Sequence, residues 1–95
     1  ADLAAEWAEL AVAMSDRMYV KTDHHYHVQA LTTLADARIL QARLEESSSL
    51  IQRAQASMGR LESPHEGSQK YLDDVRAKLC GNKGGLNLAA CMATR

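Results

Sequence analysis

From Asp23 to Met58 the chain contains neither Pro nor Gly, and a helical apolar pattern continues to Glu62. At a rise of ~1.5 Å per residue, an unbroken helix over 23–62 would be about 60 Å long. A compact domain of this length has a radius of gyration of roughly 13 Å. Such a helix would be an exposed spine with the rest of the chain fitted around it.

Two apolar stripes run along this stretch. In the second half Leu40, Leu44, Ser47, Ile51, Ala54, Met58 and Leu61 form a heptad seam with a Ser at one rung. Arg38, Arg53 and Arg60 fall on the opposite side, as a solvated back. In the first half Val28, Leu31, Leu34 and Ala35 cluster almost opposite the later seam. Heptad drift of only ~20° per seven residues cannot close that gap, so the apolar side switches between Asp36 and Leu40. Either the helix continues and packs on opposite sides in its two halves, or it breaks near Asp36 and both halves face one core. Ala35, Ala37, Leu40, Gln41, Ala42 and Arg43 are good helix formers, which favours continuity.

The first helix is expected over 3–20, with Asp2 as N-cap. Leu3, Trp7, Leu10, Ala11, Met14 and Met18 share one face, and Glu6, Glu9 and Asp16 another. The simplest use of Trp7 and the two Met is core packing; a partner-binding hot spot is the rival. Tyr19 to Thr22 is a poor helix stretch and reads as a tight reversal, with Asp23 capping the next helix. Ser63-Pro64-His65-Glu66 reads as a capping box opening a third helix over 64–80, closed by Gly81. Tyr71, Leu72, Val75 and Leu79 make its apolar face. Asn82-Lys83-Gly84-Gly85 is a joint, and Leu86 to Ala93, with Leu88 and Met92, is a short apolar tail suited to docking. Residues 1–80 thus form a helical domain and 81–95 a joint and tail.

The fold class is all-α: an elongated arrangement of three helices around a long central one. The alternative is a compact three- or four-helix bundle with a break near Asp36. Sixteen of the 95 residues are Ala, with one Trp, three Tyr and no Phe. A core of small side chains buries little area, which at ~25 cal/mol per Å² leaves the isolated chain thinly stabilised. The apolar faces, with Leu86, Leu88 and Met92 of the tail, are therefore candidate partner interfaces.

A net charge of −1 with mixed signs gives no broad attraction to nucleic acid or anionic lipid. No wholly apolar run, Leu10 to Met14 included, approaches the ~20 residues of a membrane span. Ala1 suits a mature start after removal of a targeting segment, which would imply an organelle or an exported location.

Chemistry-bearing residues are few. Asp23, His24 and His27 could bring donors to one helix face and are weak metal candidates, since a site wants three or four converging ligands. Cys80 and Cys91 flank the Gly-rich joint and could close a disulfide worth ~2–3 kcal/mol. No phosphate loop, nucleophile elbow or His-Glu-x-x-His motif occurs, and no cofactor is implied. The expectation is a non-catalytic helical accessory or linker subunit of a multi-protein assembly. By fold-level analogy this suits an organellar energy-converting complex, respiratory or photosynthetic. The rivals are a homo-oligomeric coiled coil using the Leu40–Leu61 seam, and a metal- or ligand-binding bundle using His24 to His27.

Overall fold

Five helices alternate with short connections in the computed structural model, which describes residues 2–18, 24–61, 63, 65–82 and 87–92. They are α1 (Asp2–Met18), α2 (His25–Leu40), α3 (Leu44–Gly59), α4 (Glu66–Gly81) and the single turn α5 (Ala89–Met92). The described residues are all-helical and close around one core, with a radius of gyration of 12.5 Å and extents of 36 × 33 × 19 Å. The smallest extent is about two helix diameters. Helix α2 is the hub: α1, α3 and α4 all pack on it, α4 also packs on α3, and α5 sits against α3 and α4.

The expected 23–62 helix is not continuous. It ends at Leu40 and restarts at Leu44. The Ala42 N–H donates to the Ile39 carbonyl at 3.0 Å and the Arg43 N–H to the Arg38 carbonyl at 2.8 Å. Ala42 itself takes φ 60°. This is a Schellman cap with an alanine where glycine is usual. The left-handed region costs a non-glycine residue roughly 1–2 kcal/mol. Turning both stripes onto one core buries Val28, Leu31, Leu34 and Ile51, at ~1.5–3 kcal/mol each. Burial outweighs the strain, so the chain folds into a compact bundle and the elongated arrangement is corrected.

Arg38 holds this corner together. It is buried rather than on a solvated back, because its guanidinium meets two carboxylates and an amide oxygen. One Nη donates to Glu9 of α1, the other to Gln41 Oε1 at 2.7 Å, and Nε lies 3.2 Å from Glu46 Oε2 of α3. A buried cation survives only with such compensation. Ser47, the odd rung of the seam, donates to the Ala35 carbonyl at 2.9 Å and so ties α3 to α2.

The caps differ from those expected. Asp23 lies outside the described residues, and His24 caps α2, its Nδ1 accepting from the Tyr26 N–H. His65 rather than Ser63 caps α4, its Nδ1 accepting from the Ser68 N–H at 3.1 Å. An imidazole acceptor fills the same role as a hydroxyl or carboxylate, satisfying an orphan N–H of the first turn. Lys78 reaches Asp36 of α2 at 3.0 Å, and that hydrogen bond and charge raise its pKa above the ordinary lysine value.

The described part of the tail, residues 87–92, folds onto its own chain. Cys80 and Cys91 are joined by a disulfide with Cα atoms 5.5 Å apart. Ala90 is fully buried; its N–H donates to Ser48 Oγ and its carbonyl accepts from Arg76 Nε.

Candidate functional site

Helix α1 has two apolar faces of different build. With Ala5 set at zero and about 100° per residue, Ala5, Ala8, Val12 and Ser15 fall within a sector of roughly 80°. All four are buried against α2. Leu3, Trp7, Leu10 and Met14 centre about 150° away on the same scale. They are 65%, 65%, 50% and 52% exposed. The expectation that Trp7 and Met14 pack in the core is therefore corrected: the small residues go in and the large ones face water.

Charge explains the orientation. Glu9 and Asp16 border the small-residue face, within about 80° of its centre, and lie well away from the large one. With the small face inward, Glu9 reaches the buried Arg38, and Asp16 lies 2.6 Å from His27 Nε2 and 3.2 Å from Arg53 Nη2. Turning the large face inward would point both acids to solvent and strand Arg38, a cost of several kcal/mol. The small residues also let α1 approach α2 closely enough for these pairs to form.

The exposed stripe spans almost the whole helix. Its four side chains present on the order of 500 Å² to solvent, at the upper end for the largest apolar patch of an ordinary monomer. Ala11 and Ala13, both exposed, flank it, and Glu6 borders one edge. Leu40, 70% exposed, stands beside the α2–α3 corner.

The other candidate interface residues divide sharply. Val28, Leu31, Leu34 and Ile51 belong to the core, and Leu44, Met58 and Leu88 pack partly buried against it. Leu61 is half-buried. The Leu40–Leu61 seam is thus largely internal, and a coiled coil between copies cannot use it without opening the bundle. Leu86 and the side chains of Met18 and Met92 lie outside the described residues.

The histidines are engaged separately. His25 stacks on His65 with ring centroids 3.9 Å apart and an interplanar angle of 4°, and on its other neighbour His24 at 4.3 Å. Desolvation, then the nearby His65 and His24, lowers the His25 pKa below the ordinary histidine value. His24 Nδ1 is taken by its cap bond, while His27 faces Asp16. Among the described residues no group of three or more His, Cys, Asp or Glu side chains is placed to hold a metal ion. No helix of the described residues is long and apolar enough to cross a membrane.

An open groove of about 820 Å³ lies between the end of α3 and the start of α4, with Met58, Leu61 and His65 among its walls. His65 is already committed there as the α4 cap. The groove's other walls are Gly59, Glu66, Gln69, Lys70 and Asp73.

The small-residue seam of α1 was visible as a spacing of three, four and three. It ranks below the Leu and Trp seam on hydrophobicity, and the only signal favouring it is the adjacency of Glu9 and Asp16. No family model matches the chain, and neither a curated protein nor a solved structure matches it.

Proposed function

We propose that this chain is a non-catalytic helical subunit that joins a protein assembly through the outer face of α1. The observation that supports this reading is the orientation of α1, which leaves Leu3, Trp7, Leu10 and Met14 in solvent while Ala5, Ala8 and Val12 are buried. Trp and Leu projecting from a regular helix, bordered by small residues, form the anchor pattern of a helix-docking surface. The two stripes of α2 and α3 no longer argue for neighbours, since the corner at 41–43 turns both toward the chain's own core.

The test compares the wild-type chain with Leu10→Glu at equal helix content by circular dichroism. Wild type should bind a hydrophobic dye and copurify from its native source in stoichiometric amount with a protein, itself or another. The variant should lose both. Equal dye binding by the two proteins, or none by either, would remove the basis of the proposal.

A further inference from the structure

We infer that the outer face of α1 pairs with the same face of a second copy of this chain, antiparallel, about a two-fold axis midway between Trp7 and Leu10. This rests on the docking reading above and names its occupant. Four features carry it.

The first is register. The exposed residues are spaced four, three and four apart, an order that reads the same in both directions. An isologous pair requires that each residue meet the one its partner presents in reverse order. Leu3 then faces the partner's Met14, and Trp7 faces the partner's Leu10, so every large side chain meets another large one.

The second is charge. Glu6 borders the stripe on the edge that also carries Ala13 and Arg17 and, since a two-fold sets like edges together, lies nearest the partner's Ala13 rather than another acid. Ala11 and Ala13 add no charge and let the two helices approach. The antiparallel arrangement also sets each positive helix end beside a negative one.

The third is area. About 500 Å² from each copy gives a total on the order of 1,000 Å², the lower bound of a specific interface. The pair should be weak and concentration-dependent. The fourth is access. The face that binds α2 is about 150° away around the helix, so the two bodies extend in opposite directions without collision.

A lipid surface fits less well. The exposed charges beside the stripe are one acid and one base, Glu6 and Arg17. Amphipathic helices that adsorb to anionic membranes carry basic residues in those positions.

Sedimentation equilibrium over a wide concentration range tests the pair. Wild type should pass from monomer to dimer, and Leu10→Glu and Trp7→Lys should each lower the association constant roughly tenfold or more. Because these residues are exposed, circular dichroism and thermal midpoints should match wild type. Mixing the two variants should restore association, since antiparallel pairing places the new Glu opposite the new Lys. Parallel pairing would leave them apart, so variants that fail to rescue each other would overturn the arrangement. A wild type that stays monomeric at high micromolar concentration overturns the second copy as occupant. If it still binds dye through Leu10 and Trp7, the docking surface itself stands. Trp7 emission that shifts with phosphatidylcholine vesicles but not with protein concentration would likewise overturn the pair, in favour of a lipid surface.

Discussion

Along α3, Ser47, Ile51 and Ala54 repeat at helical spacing and are lost from solvent, whereas along α1 Leu3, Trp7, Leu10 and Met14 repeat at the same kind of spacing and stand in it. The two helices are almost equal in length and each carries an amphipathic seam. What separates them is the company each seam keeps. The α3 seam is joined to α2 through a three-residue corner, which brings it onto the hub directly. On α1 the acids that must reach Arg38, His27 and Arg53 border the smaller face, so ion pairing decides which face turns inward. Periodicity reveals that a seam exists; its charged neighbours decide what the seam meets.

The largest effect that would sharpen this contrast comes from truncating each seam in turn. Ile51→Ala should cost about 3 kcal/mol, within the range for emptying a fully buried site. Trp7→Ser should change monomer stability by no more than about 0.5 kcal/mol, as at an exposed position. Urea denaturation of the two variants checks both, and similar losses would break the contrast.

Next is the staple at the other end of the molecule. Replacing Cys80 and Cys91 together by Ser should cost about 3 kcal/mol or somewhat less on the chain-entropy model for a short loop. Because α5 packs on α3 and α4 and not on α1, dye binding by the α1 face should be unchanged. A rise in dye binding that Leu10→Glu cannot abolish would show that the tail shelters apolar surface of its own.

A smaller effect belongs to the corner itself. Ala42→Gly removes the left-handed penalty at φ 60° and should stabilise the chain by about 0.5–1 kcal/mol, the unfolded state's extra freedom offsetting part of the gain. Loss of stability would mean that the corner does not hold this conformation in solution.

The least is expected from pH, and only its direction is set. His25 binds its proton more weakly folded than unfolded, so the unfolded chain takes up more proton as pH falls through 6.5. The folded state is favoured above that value, and its contribution is lost as pH drops toward the lowered folded pKa. Thermal midpoints measured from pH 7.5 down to 5 should fall, and His25→Gln should flatten that part of the profile.

The sequence carried much of this fold, though not all of it. The helical class, the extent of α1 and most of α4 follow from periodicity, while the reversal expected at Tyr19 to Thr22 lies outside the described residues. The switch of apolar side near Asp36 was legible, and it marks the corner to within about two turns. Its form was not, because Ala42 is a strong helix former and only tertiary burial makes its left-handed conformation favourable. The imidazole caps His24 and His65 were hidden for a similar reason: Asp23 and Ser63 are the better caps by type, and geometry chose their neighbours. At the candidate site the residues of the outer stripe were legible as one face of α1. Their exposure was not, since nothing in hydrophobicity alone ranks Ala5, Ala8, Val12 and Ser15 above Leu3, Trp7, Leu10 and Met14 for the interior.

Trp7 is the only tryptophan, so its fluorescence reports the environment of that stripe alone. In dilute solution, where copies do not associate, its emission should match that of free indole in water and be quenched freely by both iodide and acrylamide. A blue-shifted emission that resists both quenchers in the dilute, folded monomer would place the large face of α1 inside the molecule and contradict the account.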